Sequence, residues 1–500
     1  MIIYFKRNNI NIGNNMRDKF ATSLNTITIS LIILRFISLF FGVMTDTTEA
    51  RYAEIGRLMY QTGDYITPYF TADVPFWGKA PLSFWATAVS FNVFGVNEFA
   101  ATFPHFLLLL AALGLIYMFV RRHLGYRMAA VTACIATTMP AFLYLAGGVM
   151  TDPAMVFAMT LSFAGFYNAL HGVESVPAWR SKWGYAFFIG VGLSMLAKGP
   201  IGVVLTGIPI FLFILLRRRW TDLWRKLPWI GGTLLTLAIF IPWYVMAELK
   251  TPGFLDYFII GEHILRFVSP GWGGDLYGTA HREPIGMIWI FYLLFTMPWS
   301  LYFVVRMFSR RFRAFVPGEW MRSDIAIYSF LWAMAPMLFF TFARNTISTY
   351  TLPALLPTSI LMAIILSREA HVTRIWKFVS TALFAAVPLL AIIFCADALY
   401  AKKTSDKALV LAYKSERAGD AVPLVYLDVK RYFSADFYTG GKAVRTADFD
   451  VVTEALTTHG EVFVVTKDYV LERPHGKELL NIGAEPLYRQ KDKTLFVVRK

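Results

Sequence analysis

Residues 24–49 read LNTITISLIILRFISLFFGVMTDTTE, an apolar run that ends directly in a segment carrying Asp46 and Glu49. A spanning helix needs about 20 predominantly apolar residues, and this run meets that length between 24 and 44. Ahead of it lies an Asn-rich stretch with Lys6, Arg7, Arg17 and Lys19. The run is too long for a signal-peptide core and lacks a small-residue cleavage site, so it is expected to remain as a first helix. Ten further stretches of the same kind follow, at 98–120, 127–147, 153–171, 183–197, 199–216, 228–247, 285–306, 324–343, 351–367 and 375–398. The fifth and sixth of the eleven are short and are joined by Lys198-Gly199-Pro200, as a tight helical hairpin or as one broken helix. Splitting the longer runs raises the expectation to about thirteen spans.

Composition leads to the same class. The chain of 500 residues is 56% hydrophobic and only 16% charged, outside the balance of soluble globular domains. Its formal charge of +15 is not read as a nucleic-acid footprint, because the basic residues sit in short runs between apolar stretches. With the amino end in the cytoplasm, the inside connections hold Arg121-Arg122 with Arg127, Arg180 with Lys182, Arg217 to Arg219 with Arg225 and Lys226, Arg310 with Arg311 and Arg313, and Arg368 with Arg374 and Lys377. Every inside loop is then basic, as the positive-inside rule requires. The outside connections, chiefly 45–97, 248–284, 344–350 and the tail beyond 399, hold most of the conspicuous acidic residues and histidines.

Cys134 and Cys395 both lie in apolar stretches, so no zinc spacing or disulfide framework is present. After Tyr400 the hydrophobic runs shorten to strand length at 424–427, 462–465 and 495–498, alternating with helical patterns near 404–418 and 448–458. The chain is therefore divided into a transmembrane part, 1–398, and a small extracytoplasmic α/β domain, 399–500. No internal repeat or inverted halves of the transporter kind are found.

The first outside loop carries most of the candidate chemistry. Asp46, Glu49 and Glu54 follow on a membrane helix, and 50–59 has helical periodicity, so the loop is expected to open with a helix along the interface. Asp46 alone also reads as a helix N-cap, and Asp152, before Pro153, as a helix start. Lys79 lies among aromatics in FWGKAP, and Lys198 lies between two apolar runs; interface lysines often only snorkel. In the 248–284 loop, Glu262, His263 and Arg266 punctuate an apolar segment, and the 344–350 loop opens with Arg344 and ends with Tyr350. Charges bordering a hydrocarbon slab are costly, so a cluster of them on one face argues for function. Cations there suit a lipid phosphate and aspartates suit deprotonation of an acceptor hydroxyl, the two services that glycosyl transfer needs. Glu262 with His263 also resembles part of a divalent-metal site, but two ligands are too few to claim one.

These residues stand in motifs that resemble bacterial GT-C glycosyltransferases of the aminoarabinose transferase and protein O-mannosyltransferase group. The resemblance rests on TDTTEARYAEI at 45–55, GDYITP at 63–68, FWGKAPLSFW at 76–85, FGVNEFAA at 94–101, TDPA at 151–154, AKGP at 197–200 and EHILRF at 262–267. It implies a GT-C type membrane fold and a polyprenyl-phosphate sugar donor used at the periplasmic face of the bacterial inner membrane. The acceptor it implies is lipid A, a lipopolysaccharide core, another glycan or a protein. By the same resemblance Asp46 looks like the catalytic carboxylate and Asp152 the second acid, with Lys79, Lys198, His263 and Arg266 around the donor phosphate. Arg344 joins that group by its position, and Glu49, Glu262 and Tyr350 are further candidates. Relatives often read Glu-Lys-Pro where this chain has Gly78-Lys79-Ala80, which removes a carboxylate that could have joined a metal site; no cofactor is assigned, with a divalent metal left open. A lipid-linked-sugar flippase is the main alternative, and a membrane-anchored receptor or scaffold a third.

Overall fold

In a computed structural model the protein is described over residues 14–172, 177–278, 281–308, 323–367, 399–400, 403–417, 419, 421–430 and 432–500. It is a multi-span helical membrane protein. Seven helices among the described residues are long and apolar enough to cross a bilayer: Phe20–Phe41, Glu98–Leu124, Asp152–His171, Pro200–Arg217, Trp229–Lys250, Asp324–Thr341 and Ser348–Ser367. They correspond to seven of the eleven expected spans.

The other four behave differently. The run at 285–306 forms Met287–Phe295 and Trp299–Met307, bent by 112° where Pro298 has no N–H to continue the first helix; counted as one, it makes an eighth span. The run at 127–147 breaks before Pro140 into Tyr126–Thr137 and Pro140–Leu145, the longer piece reaching only about 18 Å at 1.5 Å per residue. Lys182–Lys198 has 17 residues. The run at 375–398 lies outside the described residues. Among the described residues two of the expected runs are cut where proline interrupts the helix, at Pro140 and Pro298.

Between Lys182–Lys198 and Pro200–Arg217 the chain reverses as a hairpin. Gly202 lies so close to Ser194 that a Cβ on it would fall 2.7 Å from the serine side chain, a proximity that eight residues of one continuous helix, about 12 Å long, do not allow. Gly199 makes the turn at φ +80°, and a Cβ there would also collide with Phe258 and His263. Only glycine satisfies both demands.

The helix ends differ chemically. At one end lie Asp152, Lys198 and Pro200. About 30 Å away along the same helices, Arg217, Arg219 and His171 surround Asp324 at 2.7, 3.2 and 3.0 Å. Between them an extended apolar cluster runs through the bundle and buries Phe163, Tyr328 and Trp332.

The region after residue 403 folds as a five-stranded sheet in the order β4-β3-β5-β7-β6, numbered after a small hairpin of β1 (Tyr69–Thr71) and β2 (Val74–Pro75). The strands are β3 Leu424–Leu427, β4 Ala443–Thr446, β5 Glu461–Lys467, β6 Glu485–Gln490 and β7 Lys493–Arg499. The first three pair in parallel and the last two antiparallel. The expected strands β3, β5 and β7 are nearly continuous apolar runs because helices cover both faces. The exposed or half-buried β4 and β6 lack that pattern.

This sheet region seats on the helix Thr48–Thr62. Phe433 and Phe437 enter a buried cluster with Ala53, Met59, Phe84 and Phe91. Beside it Arg57, 1% exposed, pairs with Glu54 at 2.5 Å and donates to the Gly440 carbonyl at 3.0 Å. Gly441, at φ +82°, must lack a side chain, since a Cβ would fall 2.6 Å from the guanidinium. Arg57→Ala breaks this buried ion pair and removes the donor to the Gly440 carbonyl, so thermal unfolding in detergent is expected to show a loss of about 3–5 kcal/mol, with earlier proteolysis of the sheet region.

Candidate active site

The chemically distinctive helix ends and the sheet region enclose a cavity of about 1600 Å³. Single small-molecule pockets are typically about 300–1,000 Å³, so this one has room for two reactants. Asp46, Asp152, Lys79, Lys198, His263, Arg266, Glu49, Glu262 and Tyr350 all line it. Arg344 does not; its side chain is exposed, and only its backbone N–H turns inward, to the Phe267 carbonyl at 3.0 Å.

One wall is a chain of alternating charge. Lys79 Nζ lies 3.0 Å from Glu262 Oε2, Glu262 receives Arg266 at 3.0 and 3.1 Å, and Arg266 reaches Asp275 at 3.5 Å. Glu262 and Arg266 are presented by Asp256–Leu265, a helix of wide, π-type turns, and its continuation Arg266–Val268; such turns are frequent at functional sites. Burial alone would discharge Lys79 and Glu262. Burial pulls the ammonium down, but Glu262 outweighs it and holds Lys79 above its ordinary range. For Glu262, burial pushes up while Lys79 and Arg266 more than reverse it, leaving the carboxyl below its usual range. Both are therefore charged at neutral pH.

The Gly199 turn builds the second wall. Lys198 Nζ meets Asp152 Oδ1 at 2.5 Å and lies 5.7 Å from the Tyr350 ring centre, a ring stacked on Phe340. His263 reaches across with Nε2 3.0 Å from the Lys198 carbonyl and Nδ1 2.6 Å from the Phe258 carbonyl. Both neighbours only accept hydrogen bonds, and only a doubly protonated ring serves both. Burial pulls the imidazole below its ordinary value against those two bonds; the neutral ring donates to one of the two carbonyls, and the charged ring to both.

Asp46 occupies a third wall, 7% exposed. Its Oδ1 accepts from the backbone N–H of Phe433 at 2.7 Å and of Ser434 at 3.3 Å, and its Oδ2 accepts from the Ser434 hydroxyl. Burial pushes this carboxyl up to about 6, against the Ser434 hydrogen bond, which lowers it. A carboxylate so placed is half-ionised just below neutrality, the range suited to a general base. Glu49, on the turn after it, accepts from Thr45 at 2.6 Å and closes the first turn of the loop helix.

The chain has counterparts among known proteins. Residues 22–258 match the family described as dolichyl-phosphate-mannose-protein mannosyltransferase. An undecaprenyl phosphate-alpha-4-amino-4-deoxy-L-arabinose arabinosyl transferase of Shewanella sediminis is 26% identical over 332 residues, 66% of this chain and 57% of that protein. Its namesake in Yersinia pestis is 28% identical over 324 residues, 63% of this chain and 54% of that protein. The matched part is thus little more than half the length of these curated relatives. Among solved structures, ArnT of Cupriavidus metallidurans bound to undecaprenyl phosphate superimposes with a TM-score of 0.75 at 20% identity, over 95% of this chain and 98% of that one.

The fold is GT-C. An archaeal oligosaccharyltransferase, AglB of Archaeoglobus fulgidus, is similar over 91% of this chain and 70% of its own, with a TM-score of 0.50 at 13% identity.

Within this GT-C frame the cavity also holds residues that were not named as candidates from the sequence. Arg35, in the first span, is 9% exposed, bonds Ser38 at 2.9 Å and packs on Gly147; a charge inside an apolar run was the available signal. Arg51 donates to the Tyr277 carbonyl at 2.7 Å. Asn345, next to the exposed Arg344, holds the Arg266 and Ser269 carbonyls at 2.6 and 2.8 Å. Among the described residues no three His, Cys, Asp or Glu side chains are grouped to hold a metal ion.

Proposed function

We propose that this GT-C chain is a glycosyltransferase that moves a sugar from a polyprenyl phosphate to an acceptor, with the cavity and the sheet domain, 399–500, on the periplasmic side of a bacterial inner membrane. The observation that carries the reading is the cavity itself, where the Lys79–Glu262–Arg266 chain and Lys198 face the same space as a half-ionisable Asp46. The relatives support it, since their names specify an undecaprenyl phosphate-linked aminosugar. So does the match to a family named for dolichyl-phosphate-mannose.

In this reading the acceptor hydroxyl oxygen attacks the anomeric carbon as the carbon–oxygen bond to phosphate breaks, with inversion. The bonding pair leaves on the phosphate, where Lys79, Arg266 and Lys198 meet the growing charge. The acceptor proton passes to Asp46. Asp152 holds Lys198 at its post, and His263 fixes the backbone turn beneath it. The acceptor class comprises lipid A, core glycan, other glycans and protein. Charges gathered at helix ends favour transfer over flipping, which calls for ion sites near the bilayer midplane.

Membranes supplied with polyprenyl-phosphate sugars are expected to form a covalent product that liposome translocation assays alone do not show. Mass spectra of lipid A and core glycans from cells with and without the gene will name sugar and acceptor together. Transport of the intact lipid-linked sugar without a transfer product would overturn the reading. Because the base works deprotonated, the rate is expected to rise with pH through about 6 and then level off. A profile flat from pH 5 to 8, about three orders of proton activity spanning that value, removes Asp46 as the base.

A further inference from the structure

The leading base candidate is not held by its own membrane domain. Asp46 lies on the first outside loop, yet the three groups that donate to its carboxylate come from residues 433 and 434. The Ser434 side chain is fully buried and works in both directions, donating to Asp46 and accepting from the Asp406 N–H at 3.0 Å. The backbone repeats the attachment: Asp46 N–H donates to the Thr404 carbonyl at 3.1 Å and Met44 N–H to the Tyr438 hydroxyl at 2.9 Å. Ser405, Lys407, Lys430 and Gln490 line the same cavity.

We propose that the carboxyl-terminal domain completes the active site, with Ser434 as the positioning residue that orients Asp46 and sets its ionisation; this rests on the transferase reading above. A buried carboxylate without donors would remain protonated at neutral pH and turn freely. Two backbone N–H groups and a hydroxyl fix its plane and favour its charged form, leaving lone pairs for the acceptor proton. The other charges around it are arranged not to mask this. Asp406 raises Asp46, but is itself paired with Lys493 and bonded by the Tyr426 hydroxyl. On the loop side the nearest ionisable neighbours along the chain are Glu49 and Arg51; from the domain side Tyr400, Lys407 and Lys430 face the cavity, Lys407 being paired with Glu98 at 2.5 Å.

The test is a pH titration of the full-length protein in detergent, read in two ways. The acid limb of the transfer rate reports the working base. The infrared band of the carboxyl absent from Asp46→Asn reports the same group with no substrate present. In Ser434→Ala both are expected to move up by about one unit, the usual effect of losing a hydrogen bond to a charged group. Ser434→Cys keeps the shape and a weaker donor, so it is expected to fall between and guards against Ser434→Ala failing to fold. Tyr469→Phe removes a hydrogen bond of the same domain, to the Asp428 carbonyl, away from Asp46 and is expected to leave both readings in place. If neither serine variant moves the infrared titration, or if Tyr469→Phe moves it equally, the inference is overturned whatever the rate. A shifted titration in a protein that transfers no sugar upholds Ser434's hold on Asp46 and overturns the transferase reading instead.

Discussion

Asp46→Asn is expected to lower sugar transfer by about 10²–10⁴-fold while the protein folds as before. The isosteric amide keeps an oxygen for the Phe433 N–H and turns its nitrogen to the Ser434 hydroxyl, which can accept. A neutral side chain in this buried place avoids the cost of a buried charge, so thermal stability is expected to be equal or higher. Donor binding belongs to the opposite wall and is expected to stay near the wild-type level. Together, lost turnover, retained carrier affinity and an unchanged melting curve identify the proton acceptor. Full turnover in the folded variant sinks that assignment.

Lys79→Ala is expected to cost about 10²–10³-fold in kcat/KM for the lipid-linked donor, the usual loss on removing one charge-stabilising donor. Arg266 is bound by both Glu262 and Asp275 and Lys198 by Asp152, whereas Lys79 shares Glu262 with Arg266. Of these three cations its ammonium, which also donates to the Gly78 carbonyl at 2.5 Å, is the one whose carboxylate keeps another partner when it turns toward a phosphate. Removing it also leaves Glu262 with Arg266 alone, so the remaining positive charge on this wall is more fully neutralised. Single-turnover rates and carrier-binding isotherms in detergent will separate the two effects. Wild-type kcat/KM in Lys79→Ala would place the phosphate elsewhere in the cavity.

Much of this arrangement was legible in the residue order. Seven spans, the loop helix that follows Asp46, and three of the five carboxyl-terminal strands follow from apolar length and periodicity, because burial leaves a compositional trace. The gathering of Lys79, Glu262 and Arg266 was legible as motifs on one membrane face, but their alternation in a single chain was not. Pairing across nearly 200 residues leaves no local pattern. Arg344 and Asn345 show the limit well: the charged residue drew attention, yet the backbone turn at 343–346 sends the amide inward and the guanidinium out. Ser434 gave no signal at all, since an ordinary serine among aromatics becomes informative only once the sheet domain is seated on the loop. The breaks at Pro140 and Pro298 mark the same boundary from the other side, where hydropathy sees a continuous run and the hydrogen-bond ladder does not.

The alternating wall of Lys79, Glu262, Arg266 and Asp275 has a consequence for turnover. Two positive and two negative groups nearly cancel, so the empty wall exerts little long-range pull on chloride or free phosphate. A ligand gains only by drawing cations away from their carboxylates, and it gains more the more charge it carries. On the proposed chemistry the incoming diester has one negative charge, whereas the spent carrier is a monoester with up to about two near neutral pH. The same side chains that ease bond cleavage then grip the spent lipid harder than the loaded one, and enzyme throughput falls as discharged carrier accumulates in the surrounding bilayer.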